Sequence, residues 1–440
     1  MTLRGMSNIV IHGTAFAVTV AALVGILAYP AKAYHTPMVI GWPVPYIPGY
    51  GVFTVKDYAP VDFQYVKMKI YSIEGEEIYS ARFPGYPALW NGRGKDGERV
   101  DPGMYVVKIE AENIYGVHAK KVMRILTGGS SRGTFTRGGW VGAKYVAMGR
   151  SGEVIADDVY SIYWNPAGLN ELRHTKIMAE KDITKKAREG RVDEISDADL
   201  VRFSEEEKSF AFQMGMSGTR LLYGGYAGFV GMAFNLPTGV MGIGSYTLYG
   251  GSFARRDLNG FKNGECIYLA SAFYLSYGVS LGVSSFGFSF KGMYERNGNS
   301  TFAGGGVDVG TQVYVLPILK VGLTIQDLGG GMYPLDSRLG ERKRYNMSYP
   351  TLRLGIALIT NRNFTLSVSG IKHLDRSTFG YGAGAEYAIV KWASVYIGIH
   401  DLVFSAGLTF HVVQFDVSYA FTLDTVSKGF NHTASVAFLF

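Results

Sequence analysis

From His174 to the end of the chain, apolar and polar residues alternate in segments of roughly ten residues, each ended by Gly, Asn, Asp or Pro. A period of two gives every strand one apolar and one polar face, and about ten residues cross a bilayer when the strand is tilted. Closing such strands into a ring satisfies their backbone groups in lipid, which an open sheet cannot do. The pattern therefore predicts a closed antiparallel transmembrane β-barrel over residues 173–440, with roughly 12 to 16 strands. The clearest segments are Leu221 to Phe229, Gly242 to Tyr249, Gly278 to Phe290, Val307 to Leu316, Lys320 to Gln326 and Leu352 to Ile359.

The final segment shows the pattern most sharply. Ala434, Val436, Phe438 and the terminal Phe440 share one face of the predicted strand. An alternating apolar strand that ends in Phe is what the assembly machinery of the outer membrane recognises in such barrels. We therefore predict that Val436, Phe438 and Phe440 form a barrel-assembly signal, and that this machinery is a partner.

One insert, residues 180–208, breaks the alternation because most of its residues are charged. Charged residues at this density cannot lie in hydrocarbon. The insert is predicted to be a loop, extracellular if the first barrel strand runs outward. A solvated surface helix and a recognition element are both compatible with its sequence.

The first 33 residues resemble a secretory signal peptide. Arg4 precedes an apolar stretch from Ala15 to Tyr29, and Ala31-Lys32-Ala33 supplies the small-x-small cleavage site. We predict a signal peptide over 1–33, with an uncleaved anchor helix as the alternative. Either reading implies export.

A Pro-rich linker, predicted over residues 34–49, leads into a small β domain over 50–126. Short alternating stretches such as Val66 to Tyr71, Glu77 to Phe83 and Met104 to Ala111 are typical of half-buried strands. Turn-forming residues separate them.

Glycines mark the turns of this domain. Gly92 and Gly97 complete Asn-Gly and Asp-Gly pairs, which supply the positive φ of tight turns, and Gly103 follows a proline. Trp90 is predicted to fill the core, and Tyr105 to begin the next strand. This combination resembles the FlgD-like Ig module, which implies a seven-strand sandwich that serves as a spacer or docking unit.

Residues 127–140 are rich in Gly, Ser and Thr, and predict a flexible linker. The following residues, 141–172, contain the break Asn-Pro-Ala-Gly and cannot form a lipid-facing strand, because Pro lacks a ladder donor. We predict that this segment is a hatch in the barrel lumen that gates passage or positions a ligand. The hatch residues singled out are Asp157, Asp158, Tyr163, Trp164, Asn165, Pro166, Ala167 and Gly168. For the two aspartates, helix capping and packing are the plainer alternative.

The hatch stretch resembles the N-terminal signature of PorV/PorQ-type outer-membrane proteins, relatives of the FadL-type fatty-acid channels. Val321 to Gly329 and Tyr349 to Gly355 also fit, so that the resemblance covers residues 140–440. It implies about 14 strands and a hatch made from the N-terminal segment. Asp327 departs from the family, whose members tend to carry Asn there.

Composition narrows the function classes. The formal charge is +7, but the basic residues are scattered, so contact with anionic lipid headgroups is predicted and nucleic acid is not. The chain lacks a Gly-x-Ser-x-Gly elbow, a His-Glu-x-x-His pair and a phosphate-binding Gly loop, and it has one cysteine. We predict no enzyme activity, cofactor or metal.

The combined expectation is a channel or carrier in the bacterial outer membrane for a hydrophobic or amphipathic solute, with the Ig-like domain in the periplasm. The alternative is an interaction protein of a type IX-like secretion system, which would accept or anchor exported proteins at the surface. A structural anchor that only displays the Ig-like domain is a third reading.

Overall fold

The computed structural model describes residues 39–48, 51–57, 63–73, 75–113, 118–172, 212–221, 223–336, 346–360, 363–375, 379–412, 414–424, 426 and 429–439. The predicted signal peptide, the charged insert 180–208 and Phe440 lie outside these residues.

The N-terminal part consists of two small antiparallel sheets. One has the order β1-β2-β5 and the other the order β4-β3-β6-β7. Strand β1 lies within the segment predicted to be a Pro-rich linker. Its backbone pairs with that of β2, so this part of the segment is a strand of the first sheet. The strands are β1 (Val39–Trp42), β2 (Phe53–Asp57), β3 (Phe63–Ser72), β4 (Glu77–Phe83), β5 (Ala88–Trp90), β6 (Gly103–Asn113) and β7 (His118–Thr127).

Trp90 lies in the core shared by these two sheets. Its side chain is 1% exposed, its ring centroid lies 6.4 Å from that of Tyr105 in the other sheet, and its Nε1 donates to the Arg93 carbonyl at 2.8 Å. Gly92 and Gly97 have φ of 77° and 78°, the left-handed region that their turns require. We call residues 39–127 the N-terminal domain.

A closed barrel of fourteen antiparallel strands follows. Its ring is closed by two pairings, β22 with β8 and β13 with β14, while the short β15 adds only to β14. The predicted barrel class and strand number are confirmed. The strands are β8 (Phe212–Arg220), β9 (Tyr226–Leu236), β10 (Gly239–Arg256), β11 (Lys262–Leu281), β12 (Ser284–Gly298), β13 (Ser300–Leu316), β14 (Leu319–Pro334), β15 (Asn346–Met347), β16 (Thr351–Thr360), β17 (Phe364–His373), β18 (Phe379–Val390), β19 (Ala393–His400), β20 (Val403–Val412), β21 (Phe415–Leu423) and β22 (Phe430–Leu439).

The first described strand of the barrel begins at Phe212, and the earlier residues of the predicted barrel range, 173–211, lie outside the described residues. One sequence expectation about the barrel needs correction. The stretch Gly278 to Phe290 is not one strand but a hairpin, which turns at Gly282 and Val283. Gly282 has φ of 68°, so the chain reverses there although the surrounding apolar pattern runs on.

The two faces of the barrel wall differ in polarity. In β12, Phe286, Phe288 and Phe290 are exposed at 45%, 41% and 55%, whereas the residues between them point inward and are buried. In β16, Leu354 and Ile356 are exposed while Arg353 is buried inside. An apolar outer face and a polar inner face are typical of a β-barrel that spans a membrane.

The two ends of the barrel differ in their connections. At one end, consecutive strands are joined by two or three residues, as between β11 and β12 or β18 and β19. We call this the turn end; β22 also finishes there. At the opposite end five of the seven connections have five residues or more, the longest spanning residues 335–350 between β14 and β16. We call this the loop end.

Short helices connect the N-terminal domain to the barrel. Two are 3-10 helices, Thr134–Gly138 and Pro166–Asn170, and three are single-turn α-helices, Ala143–Ala147, Gly152–Ile155 and Ser161–Trp164. No helix among the described residues is long and apolar enough to cross a membrane.

Candidate functional site

Residues 130–172, which we call the inner segment, run through the barrel from the loop end to the turn end. The run begins beside β12, where Asn297 Nδ2 donates to the carbonyls of Thr127 and Gly129, both at 2.9 Å. The backbone N–H of Ser131 donates to Glu295 Oε2 at 2.9 Å. The prediction of a flexible linker over 127–140 is therefore wrong, because polar side chains of the inner wall fix its backbone.

Glycines of the barrel wall make room for the middle of the inner segment. A Cβ at Gly384 would lie 2.4 Å from the Met148 carbonyl oxygen, and one at Gly398 would lie 2.3 Å from the Gly149 backbone nitrogen. Gly382 faces Gly149 in the same way. Any side chain at these positions would collide with backbone, so the glycines allow wall and segment to touch directly.

The Asn-Pro-Ala-Gly turn lies inside the barrel. Asn165 Oδ1 accepts from the Ala167 N–H at 3.1 Å, while its Nδ2 donates to the Glu153 carbonyl at 2.7 Å and to the Thr311 carbonyl of the wall at 3.2 Å. Gly168 is packed so closely that a Cβ would lie 2.2 Å from the Ala156 carbonyl oxygen. Asn165 thus bonds to its own turn, to the helix that contains Glu153 and to the barrel wall, and these hydrogen bonds fix the position of the turn.

Three wall glycines on adjacent strands receive this turn, and we call them the glycine seat: Gly278, Gly287 and Gly310. A Cβ at Gly287 would lie 2.3 Å from the Pro166 carbonyl carbon, and one at Gly310 would lie 1.9 Å from Asn165 Oδ1. The seat fixes the turn against β11, β12 and β13.

Tyr163 and Trp164 belong to an aromatic group in the lumen. The Tyr163 ring lies 5.4 Å from Tyr246 and 6.3 Å from Tyr274 on the wall. Trp164 Nε1 donates to the Val141 carbonyl at 2.9 Å, and the Arg353 guanidinium lies 5.5 Å from its ring centroid. Aromatic contacts of this kind stabilise the packing of the segment on the wall.

A cavity of about 360 Å³ lies at the turn end, and Asp157 and Asp158 line it. Tyr145 OH donates to Asp157 Oδ1 at 3.1 Å, and Asp158 Oδ1 accepts from the Tyr160 N–H at 2.9 Å. The second contact is an Asx turn before the helix Ser161–Trp164, whose N-cap residue Tyr160 makes no side-chain capping hydrogen bond. Lys144 also lines the cavity, so that charges of both signs face it.

A larger cavity, about 620 Å³, lies at the loop end between the N-terminal domain and the barrel rim. Apolar and aromatic side chains line it together with charged residues of both signs. The charged residues include three arginines, whose guanidinium groups contact protein atoms or rings, and Glu76, Glu77, Lys95, Asp101 and Asp401. Tyr105 of the N-terminal domain and Phe379 of the barrel rim both line the cavity. The inner segment separates the two cavities.

A buried charge cluster lies on the inner face of the wall, along the strands that carry Gly287 and Gly310. Lys291 Nζ contacts Asp308 Oδ1 at 2.8 Å and also contacts Asp327 Oδ1, and all three side chains are within 2% of complete burial. Asp327 has φ of 63° and donates its N–H to Asp308 Oδ1 at 2.8 Å. It lies where the β13–β14 register shifts, so the side chain of Asp308 replaces a missing ladder partner.

Neither this cluster nor most of the polar inner wall could be predicted from the sequence. Inward positions can be recognised only after the facing of each strand is known, and Lys291 alternates with the outward phenylalanines of β12. Two histidines of the barrel lie beside carboxylates: His400 Nε2 is 3.2 Å from Asp401 Oδ2, and His411 Nδ1 is 2.6 Å from Asp416 Oδ1.

The predicted assembly signal lies partly within the described chain. Val436 and Phe438 are on β22 and pair with Met216 and Met214 of β8. The Phe438 ring lies 5.1 Å from that of Phe415. Both residues therefore lie at the pairing that closes the ring.

No family model and no curated protein sequence matches the chain. Among solved structures, it is similar to the CymD monoaromatic hydrocarbon channel, at 12% identity and a TM-score of 0.47 over 68% of this chain and 97% of that one. It is also similar to the toluene transporter TodX of Pseudomonas putida, at 10% identity and a TM-score of 0.43 over 67% of this chain and 96% of that one. A third similar structure is a FadL homologue of Pseudomonas aeruginosa, at 9% identity and a TM-score of 0.44 over 68% of this chain and 98% of that one. The resemblances to PorV/PorQ proteins and to the FlgD-like module stay predictions from the sequence.

Proposed function

We propose that this protein is an outer-membrane channel that admits a hydrophobic or amphipathic solute past an inner segment that closes its lumen. The observation that carries the proposal is the combination of an apolar exterior on a closed barrel with a protein segment packed against the inner wall from end to end. The exterior suits a bilayer, and the contents of the lumen suit a route that excludes bulk water.

The two cavities support a stepwise route. A solute would first occupy the loop-end cavity, whose volume lies within the range typical of small-molecule sites and whose lining includes aromatic rings. It would then pass the aromatic group around Tyr163 while the inner segment shifts, and leave through the turn-end cavity.

The lumen is closed by protein and not by a narrow opening, and this determines which solutes can pass. A column of water would admit sugars and ions, whereas a packed segment admits only solutes whose contacts replace those of the segment with the wall. Apolar rings can make such replacement contacts with the aromatic group, and hydrated sugars cannot. The finer assignments, a PorV/PorQ relation and a role in accepting exported proteins, rest on the sequence resemblance alone.

Uptake by intact cells tests the proposal, because their outer leaflet of lipopolysaccharide slows hydrophobic solutes. Cells that make the protein should accumulate radiolabelled toluene or oleate several-fold faster than cells with an empty vector. Radiolabelled sucrose should enter both at the same rate. Equal rates for all three probes would contradict a channel function, and faster entry of sucrose would indicate an open pore instead.

A further inference from the structure

The N-terminal domain lies on the loop end of the barrel, and its contacts there are specific. Val44 and Arg256 exchange two backbone hydrogen bonds, of 3.1 and 3.0 Å. The Arg124 guanidinium donates to the Gly224 carbonyl at 3.2 Å and lies 4.9 Å from the Phe253 ring centroid.

A second group of contacts lies on another part of the rim. Tyr71 and Val106 of the domain form a small buried apolar cluster with Val426, which lies in the connection between β21 and β22. The Trp42 ring covers Gly260 in the connection between β10 and β11, where an added Cβ would lie 3.0 Å from the indole. The domain therefore rests on several connections of the loop end at once.

The connections of the barrel indicate which side of the membrane this is. Outer-membrane barrels have short turns on the periplasmic side and longer loops outside the cell. Here the turn end has connections of two or three residues, and the loop end includes the connection of residues 335–350. The domain is on the loop end, opposite to the periplasmic side expected from the sequence.

The path of the chain agrees with this orientation. The inner segment leaves the N-terminal domain at the loop end, near Glu295 and Asn297, and reaches the turn end at Glu171, which pairs with Lys320 at 3.0 Å. Because the ring closes by pairing of β22 with β8, the wall can form around the segment. The domain need not be threaded through a finished barrel.

We infer that residues 39–127 form an external cap, which covers the loop-end mouth on the cell surface, so that a solute from outside enters through the cavity beneath it. This inference takes the location in the outer membrane from the proposed function, but the orientation of the domain does not depend on that function. The cavity itself shows the juxtaposition, since Tyr105 of the domain and Phe379 of the barrel rim line it together.

Two matched lysines allow a test of orientation. Lys95 lies in an exposed turn of the domain, and Lys391 lies in the exposed connection between β18 and β19 at the turn end. Each is replaced by Cys in the full chain, with the native Cys266 changed to Ala. Intact and permeabilised cells are then treated with a polyethylene-glycol maleimide too large to cross the outer membrane.

Lys95→Cys should be labelled on intact cells, and Lys391→Cys only after permeabilisation. Labelling of Lys95→Cys only after permeabilisation, or of Lys391→Cys on intact cells, would overturn the external cap. Fractionation of the same cells separates this from the function: a chain absent from the outer membrane would contradict the proposed channel. Recovery there with reversed labelling would contradict only the orientation.

Discussion

Replacing Gly287 with Val is expected to open the barrel to ions. A Cβ at this position would lie 2.3 Å from the Pro166 carbonyl carbon and 2.4 Å from the Ala167 nitrogen. Both atoms are backbone, so no side chain can rotate away. Overpacking costs about 1–3 kcal/mol, and occasionally more. Since the ladders of β12 hold the wall on both sides, we expect the Asn-Pro-Ala-Gly turn to leave its seat instead.

Single-channel conductance in planar bilayers measures this opening. The wild type should show little conductance, and Gly287→Val should show a stable open level. Gly292→Val is the matched control, because it lies on the same strand and an added Cβ there has nothing within 4 Å. Equal traces from the two variants would contradict the closing role of the segment, provided that both migrate as folded barrels on unheated gels.

The second large effect concerns stability. Lys291→Met should lower the heat resistance of the barrel markedly, because Asp308 and Asp327 would remain buried without a cation. Removing one partner of a buried ion pair typically costs about 3–5 kcal/mol. The temperature at which the folded band converts to the unfolded band on SDS gels measures the loss.

Two variants distinguish charge from packing. Lys320→Met is the matched control: its partner Glu171 is 14% exposed beside the turn-end cavity, so water can compensate, and the loss should be smaller. Adding Asp308→Asn and Asp327→Asn to Lys291→Met should recover much of the heat resistance. A Lys291→Met barrel as stable as Lys320→Met would contradict the ion-pair account.

The barrel could be predicted because its signal is local. Alternation in β12 or β16 depends on neighbouring residues and repeats along the chain, and the turn-rich Asn165 to Gly168 cannot belong to a wall in lipid. These features require no knowledge of distant partners. Strand ends are harder to place: Val283, within the turn, continues the apolar alternation of Val279 and Leu281.

The contents of the lumen could not be predicted, because their partners are far apart in sequence. Residues 127–140 have the composition of a flexible linker, yet Ser131 is held by Glu295 and Thr127 by Asn297, more than 160 residues later. The position of the N-terminal domain depends likewise on contacts such as Arg124 with Gly224. Composition predicts how flexible an isolated segment is, but not which distant groups contact it in the folded protein.

A reversible cross-link tests whether solute passes only when the inner segment moves. Ile162 packs against the wall glycine Gly242, where an added Cβ would lie 2.7 Å from Ile162 Cγ1. Ile162→Cys with Gly242→Cys therefore places a sulfur where the two side chains meet, in a chain that also carries Cys266→Ala. Ile162→Cys alone, in the same background, is the control.

The decisive measurement is the rate of toluene uptake by cells with the double variant, first oxidised and then reduced. We expect uptake at the empty-vector rate while the disulfide is closed, recovery after reduction, and no response in the control. Rapid uptake with the disulfide closed, verified on non-reducing gels, would contradict the claim that the inner segment is the gate.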